Sequence, residues 1–173
     1  MKISDIRRYD SEKMYEAYDY WPKLAKEHYE KDFSKLEIDN VDHIVFAGMG
    51  GSGTIGDIFS SILSKKNIHA TVVKGYLLPE TVDDNTLVVT TSVSGNTAET
   101  ISILESANEK NCQTIAFSSG GKMQKFCNAN NLFFREISMI HSPRASLPSF
   151  LYSTLNVLEN IIPIKKNDIP ITD

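Results

Sequence analysis

The sequence predicts an α/β protein: a three-layer α-β-α sandwich built on a five-stranded parallel sheet. Three observations predict it. From residue 43 onward, short β-rich runs alternate with helical runs through short links, the pattern of a parallel sheet wrapped by helices on both sides. The β-rich runs are mostly apolar rather than alternating, as strands buried on both faces must be. Loops rich in Gly, Ser and Thr follow directly on several of them. In doubly wound sheets ligands bind at that end of the strands, where the strand order reverses.

Residues 1–40 carry no strand signal and are expected as an N-terminal helical segment. Met14, Tyr18, Trp21, Leu24, Ala25 and Tyr29 recur at roughly helical spacing. Pro22 falls inside the run, so two short helices or a kink are expected there. The aromatic residues read as packing, a cover over an edge or face of the sheet. The expected strands are His43–Ala47, His69–Val73, Leu87–Thr91, Thr114–Phe117 and Leu132–Glu136. Helices are expected near Thr54–Ser64, Thr97–Lys110, Lys122–Asn130 and Leu147–Ile162. The expected order is 2-1-3-4-5, with the crevice beside strands 1 and 3. This places the α/β domain at residues 41–164. Residues 165–173 are polar, and prolines stand at 163 and 170. They read as a tail or linker.

The chain has 173 residues, about one domain. Its formal net charge is -4 and no basic block stands out. That argues against nucleic acid as the main partner. Cys112, expected in a strand, and Cys127, expected in a helix, read as buried reduced thiols, and no metal site is expected. No long apolar run and no signal peptide appear, so no membrane partner is expected and the location reads as cytoplasmic.

Four loops could carry chemistry. Gly48-Met49-Gly50-Gly51-Ser52-Gly53 follows strand 1 and fits the glycine pattern of dinucleotide-binding turns. That reading needs an acidic residue at the end of strand 2, where the sequence has Thr71-Val72-Val73-Lys74-Gly75 instead. Close approach of some other ligand to the backbone is the better account. Ser92-Val93-Ser94-Gly95-Asn96-Thr97 follows strand 3 and opens a helix. Three hydroxyls at a helix start suit a phosphate monoester, because helix N-termini carry unpaired N–H groups and partial positive charge. The competing account is helix capping by Asn96 or Thr97, with Glu99 or Thr100 in support. Ser118-Ser119-Gly120-Gly121-Lys122 follows strand 4 as a ligand contact or an ordinary turn. His141-Ser142-Pro143-Arg144-Ala145 follows strand 5. Arg144 there is either a surface residue or an anion clamp able to stabilise enediolate charge.

Taken together, the four loops resemble the bifunctional phosphoglucose/phosphomannose isomerases, a branch of the sugar isomerase (SIS) superfamily. The resemblance rests on Gly48–Gly53, Ser92–Thr97, Ser118–Gly121 and Pro143–Ala145 and spans about residues 40–160. It implies an SIS, flavodoxin-like fold. It also implies interconversion of glucose or mannose 6-phosphate with fructose 6-phosphate through a cis-enediolate, with no cofactor. By the same resemblance, Ser92, Ser94 and Thr97 hold the phosphate. Gly50, Gly51 and Ser52 lie along the sugar, and Arg144 stabilises the enediolate oxygens. Family members carry two SIS domains in one chain, with the base Glu and ring-opening His in the second. This sequence ends after the first, so a homodimer or a second SIS domain is expected to complete the site. Glu99 and Glu105 are expected to point along their helix. His141 is the nearest candidate acid. The alternative is a non-catalytic sugar-phosphate-binding or regulatory module. Arg144, which a phosphate sensor would not need, favours the isomerase.

Overall fold

The computed structural model describes residues 3–33, 38, 40–162 and 164. Apolar runs become strands β1 (His43–Ala47), β2 (His69–Val73), β3 (Thr86–Ser92), β4 (Gln113–Ser118) and β5 (Phe133–Glu136). They form one parallel sheet in the order β2-β1-β3-β4-β5. Ala47 lies opposite Thr90, and Ser92 lies opposite Ser118. The loops leaving β1, β3 and β4 therefore emerge side by side at the carboxyl edge. β1 and β3 are buried along their full length, whereas the edge strands β2 and β5 are partly exposed.

Seven helices complete the described chain: α1 (Ile3–Tyr9), α2 (Met14–Asp19), α3 (Trp21–Glu30), α4 (Gly51–Leu63), α5 (Ala98–Glu109), α6 (Gly121–Asn130) and α7 (Leu147–Val157). Strand periodicity divides them into two layers. Ile44, Phe46, Leu87, Val89, Ile115 and Phe117 point to one face and pack with Phe59 of α4 and Phe150 of α7. Val45, Ala47 and Val88 point to the other and meet Ile103 and Ala107 of α5. Ala116 meets Met123 and Cys127 of α6 on that same side. Each fully buried large side chain contributes about 1.5–3 kcal/mol.

Differences from expectation lie at element ends. β3 runs one residue further at each end, so Ser92 is a strand residue. Cys112 precedes β4 instead of lying within it. α4 starts at Gly51, ahead of the expected Thr54, because close packing offsets the poor helix propensity of glycine. A Cβ on Gly53 would sit 2.6 Å from Gly48 O, and one on Gly56 would sit 2.8 Å from Phe46 Cβ. α7 ends at Val157, and turns carry the buried Leu158 and Ile162. Pro22 falls in the first turn of α3, where a missing N–H costs nothing. α1 and α2 precede α3 within the stretch expected to be helical. α3 packs against α7, and Tyr29 joins the core on that side. Residues 165–173, expected as a tail or linker, lie outside the described residues. Among the described residues no helix is long and apolar enough to cross a membrane.

Candidate functional site

A cleft of about 410 Å³ opens at the carboxyl ends of β1 and β3, where the strand order reverses. Gly51 and Ser52 line it from the start of α4, and Ser94 and Thr97 from the β3–α5 loop. Pro143, Arg144 and Leu147 line it from the segment leading into α7. Its remaining wall is apolar: Met49, Ile55, Val93 and Phe150.

The β1–α4 turn keeps the cleft open. Gly50 has φ 53° and ψ -126°, a conformation that side chains make costly. A Cβ at Gly50 or Gly51 would meet nothing within 4 Å, so both face open space. Gly48 and Gly53 are glycines for packing instead. Lys74 lies across Gly53, and its ammonium pairs with Asp57 at 2.7 Å. That carboxylate already holds the cation that a nucleotide 2′-phosphate would require.

The β3–α5 loop divides its three hydroxyls between two tasks. Ser92 is 2% exposed. Its Oγ lies 2.8 Å from Thr97 Oγ1 and accepts from Gly95 N–H at 3.1 Å. Ser94 is exposed, and its Oγ accepts from Asn96 N–H at 3.2 Å. This leaves the Ser94 hydroxyl proton free to donate into the cleft. Neither expected cap operates. Thr97, the N-cap of α5, makes no side-chain capping bond. Asn96 turns away, donating from Nδ2 to Ser94 O and accepting from Lys122 N–H. Among the described residues the N–H groups of Ala98, Glu99 and Thr100 take part in no cap or turn bond. The open start of α5 thus presents partial positive charge beside two hydroxyls, an environment that favours an anion.

The β4–α6 loop braces this arrangement and does not line the cleft. Ser119 donates from both N and Oγ to Val93 O, at 3.0 and 2.6 Å. Met123 N–H donates to Gly95 O at 3.0 Å. Gly95 has φ +65°, and a Cβ there would fall 1.8 Å from Gly120 O. Any side chain at residue 95 would force the two loops apart.

Arg144 is exposed and lines the cleft. Its guanidinium makes no ion pair or hydrogen bond among the described residues. His141 is elsewhere: its Nε2–H donates to Glu12 O at 2.7 Å, and it does not line the cleft. Glu99 and Glu105 also stay outside the lining. Burial pushes the Cys127 thiol up to about 11 and raises that of Cys112. Neither is an activated nucleophile. No cluster of His, Cys, Asp and Glu suited to a metal occurs among the described residues.

The family model of the SIS domain matches residues 37–153. The chain belongs to the SIS domain family. Over 138 residues this SIS domain is 34% identical to a bifunctional phosphoglucose/phosphomannose isomerase of Caldicellulosiruptor bescii, covering 78% of this chain and 41% of that protein. It is 31% identical over 117 residues to D-glucosamine-6-phosphate 4-epimerase of Sulfolobus acidocaldarius, covering 67% of this chain and 36% of that protein. Its fold is shared by the crystal structure of tagatose-6-phosphate ketose/aldose isomerase from Escherichia coli, with a TM-score of 0.59 at 20% identity, covering 82% of this chain and 46% of that one. The chain spans less than half the length of these relatives.

Sequence reasoning missed the apolar wall. Ile55 and Phe150 follow the same helical spacing as core residues, so no sequence signal separates them from the core they also join.

Proposed function

We propose that this chain supplies the sugar-phosphate-binding part of an aldose–ketose isomerase acting on glucose or mannose 6-phosphate and fructose 6-phosphate. The observation that carries this reading is the open start of α5 beside Ser94 and Thr97, facing the unpaired Arg144 across one cleft. The phosphate sits at Ser94, Thr97 and the first N–H groups of α5. Ser92 acts by holding Thr97. The sugar runs past Gly50, Gly51 and Ser52. At its far end, Arg144 offsets the negative charge that develops on the C1 and C2 oxygens as a proton moves between those carbons. No Asp, Glu or His lines the cleft among the described residues, so the base and the ring-opening acid come from a second SIS domain or a second copy of the chain. Residues 41–164 are the SIS unit, residues 1–40 its helical annex and residues 165–173 a tail or linker. The assembly works in the cytoplasm.

The same lack of a base in the lining favours a second reading, a sugar-phosphate-binding or regulatory module without catalysis. Amide chemical-shift titrations test the site shared by both. Fructose 6-phosphate and inorganic phosphate should move signals of residues 50–52 and 92–100, while fructose alone should not. Shifts confined to other surfaces would end both readings. Isomerase assays then separate them.

A further inference from the structure

The helical segment before the sheet reaches the loop that carries Arg144. This segment, α1–α3, lies outside the residues matched by the SIS family model. Trp21 opens α3, and its indole Nε1–H donates to the carbonyl of Ala145 at 2.9 Å, across 124 residues of sequence. The Trp21 ring is held edge-on by Tyr18, with centroids 4.7 Å apart. A second tie joins His141 Nε2–H to Glu12 O at 2.7 Å. The turn bearing Glu12 is itself fixed, because the Asp10 carboxylate accepts from Met14 N–H and Tyr15 N–H at 3.0 and 2.8 Å. Between these ties the loop closes on itself. Ser146 Oγ accepts from Ile140 N–H at 2.8 Å and donates to Ser142 O at 2.9 Å. Arg144 is exposed, and its carbonyl accepts from Leu147 N–H at 3.3 Å. Its backbone is fixed on both sides while its guanidinium stays free to face the cleft.

We infer that Trp21 and His141 are positioning residues that hold the Arg144 loop on the helical segment, so that Trp21 and Glu12, outside the SIS family match, tune the site. The inference rests on the reading of Arg144 as the group facing the far end of the sugar. His141 adopts φ 56°, a strained state for a non-glycine residue that surrounding contacts must maintain. The bond to Glu12 O is such a contact. Neither Trp21 nor His141 lines the cleft. Their influence on a ligand therefore runs through Arg144, and the phosphate end at Ser94 and Thr97 lies outside their reach.

That division gives a test. The probes are inorganic phosphate, which engages only the α5 start, and a pentonic acid 5-phosphate, whose carboxylate stands where the enediolate oxygens would form. Trp21→Phe keeps a ring against Tyr18 and removes the donor. It should weaken the sugar acid about tenfold and leave inorganic phosphate unchanged. In an Arg144→Ala background the same change should add nothing, because contacting residues in one network are not additive. His141→Gly relieves the positive φ and removes the bond to Glu12. It should give the same split, and it tests the idea even if Trp21→Phe folds poorly. Unchanged sugar-acid binding in both variants, or an undiminished effect in the Arg144→Ala background, would overturn the positioning role while leaving the phosphate site standing. If the unmodified chain binds neither probe, the proposed site falls and the positioning role falls with it.

Discussion

Ser92 Oγ and Thr97 Oγ1 lie 2.8 Å apart, a bond that ties the end of β3 to the N-cap of α5. Ser92 is buried by it, whereas Ser94, two residues on, is exposed at the cleft. The two serines should therefore respond differently to the same substitution. Ser94→Ala should leave the thermal midpoint nearly unchanged and weaken fructose 6-phosphate binding by about 1–3 kcal/mol, the cost of unpairing a charged acceptor. Ser92→Ala should lower stability by about 1 kcal/mol, because it removes the buried Oγ that joins Gly95 N–H and Thr97 Oγ1, while Gly95 N–H keeps its bond to Ser92 O. Calorimetric titration beside thermal melts separates the two. Equal effects on both measurements would show that the hydroxyls share one task.

Two glycines make a second contrast. Residue 51 has open space at its Cβ, whereas residue 95 has a carbonyl 1.8 Å away and a positive φ. Gly51→Val should fold with a near-native melting temperature and lose sugar-phosphate binding, since its side chain projects into the cleft. Gly95→Ala should lose more than about 4 kcal/mol of stability, the range of severe overpacking, and should fail to accumulate as folded protein. A misfolded Gly51→Val would show that this glycine serves the turn rather than the ligand.

The strand order and the cleft's place were legible because they follow from patterns the chain repeats. Apolar runs of strand length separated by helical runs dictate a parallel sheet, and its reversal point dictates the crevice. The division of labour among the loop hydroxyls was not legible. Ser92, Ser94 and Thr97 look alike in sequence. Only the extension of β3 to residue 92 turns one hydroxyl inward. The role of Ser118–Lys122 was ambiguous for a similar reason. A Gly-Gly turn fits a ligand contact as well as a brace, and the choice depends on how near the neighbouring strand's loop comes. Trp21 gave no signal beyond helical spacing, because its partner at Ala145 is 124 residues away.

Stability should depend on pH through the buried His43 and the half-buried His28. Burial pushes His43 below the ordinary histidine value, and His69 beside it pushes in the same direction. His28, bonded to Ser153 Oγ, is lowered chiefly by burial as well. A lowered folded value means that the unfolded chain binds more protons, so stability rises with pH in that window. The contribution is full above about pH 6.5, the unperturbed value. It is lost as pH falls from there through the folded values. Urea midpoints measured from pH 8 to pH 5 should decline below about 6.5, and His43→Gln should flatten part of that decline. Midpoints rising as the pH drops would contradict the burial argument.

The last prediction concerns turnover. Isomerisation needs a base within about 3 Å of the C1 and C2 protons, or one water away. The cleft offers hydroxyls, helix N–H groups and Arg144, but no carboxylate or imidazole lines it among the described residues. A missing general base costs ~10²–10⁴ in rate, while charge stabilisation by Arg144 persists. The 173-residue chain should therefore bind fructose 6-phosphate yet convert it to glucose or mannose 6-phosphate far more slowly than ordinary enzymes, which turn over at about 10 s⁻¹. Joining it to a second SIS domain that carries a Glu and a His should raise the rate. Arg144→Ala in that assembly should then remove most of the gain, about 10²–10³-fold, the usual cost of losing one charge-stabilising donor. Rapid turnover by the isolated chain would place a base within these residues. The first place to look would be the exposed carboxylates of a second copy, brought across a dimer interface.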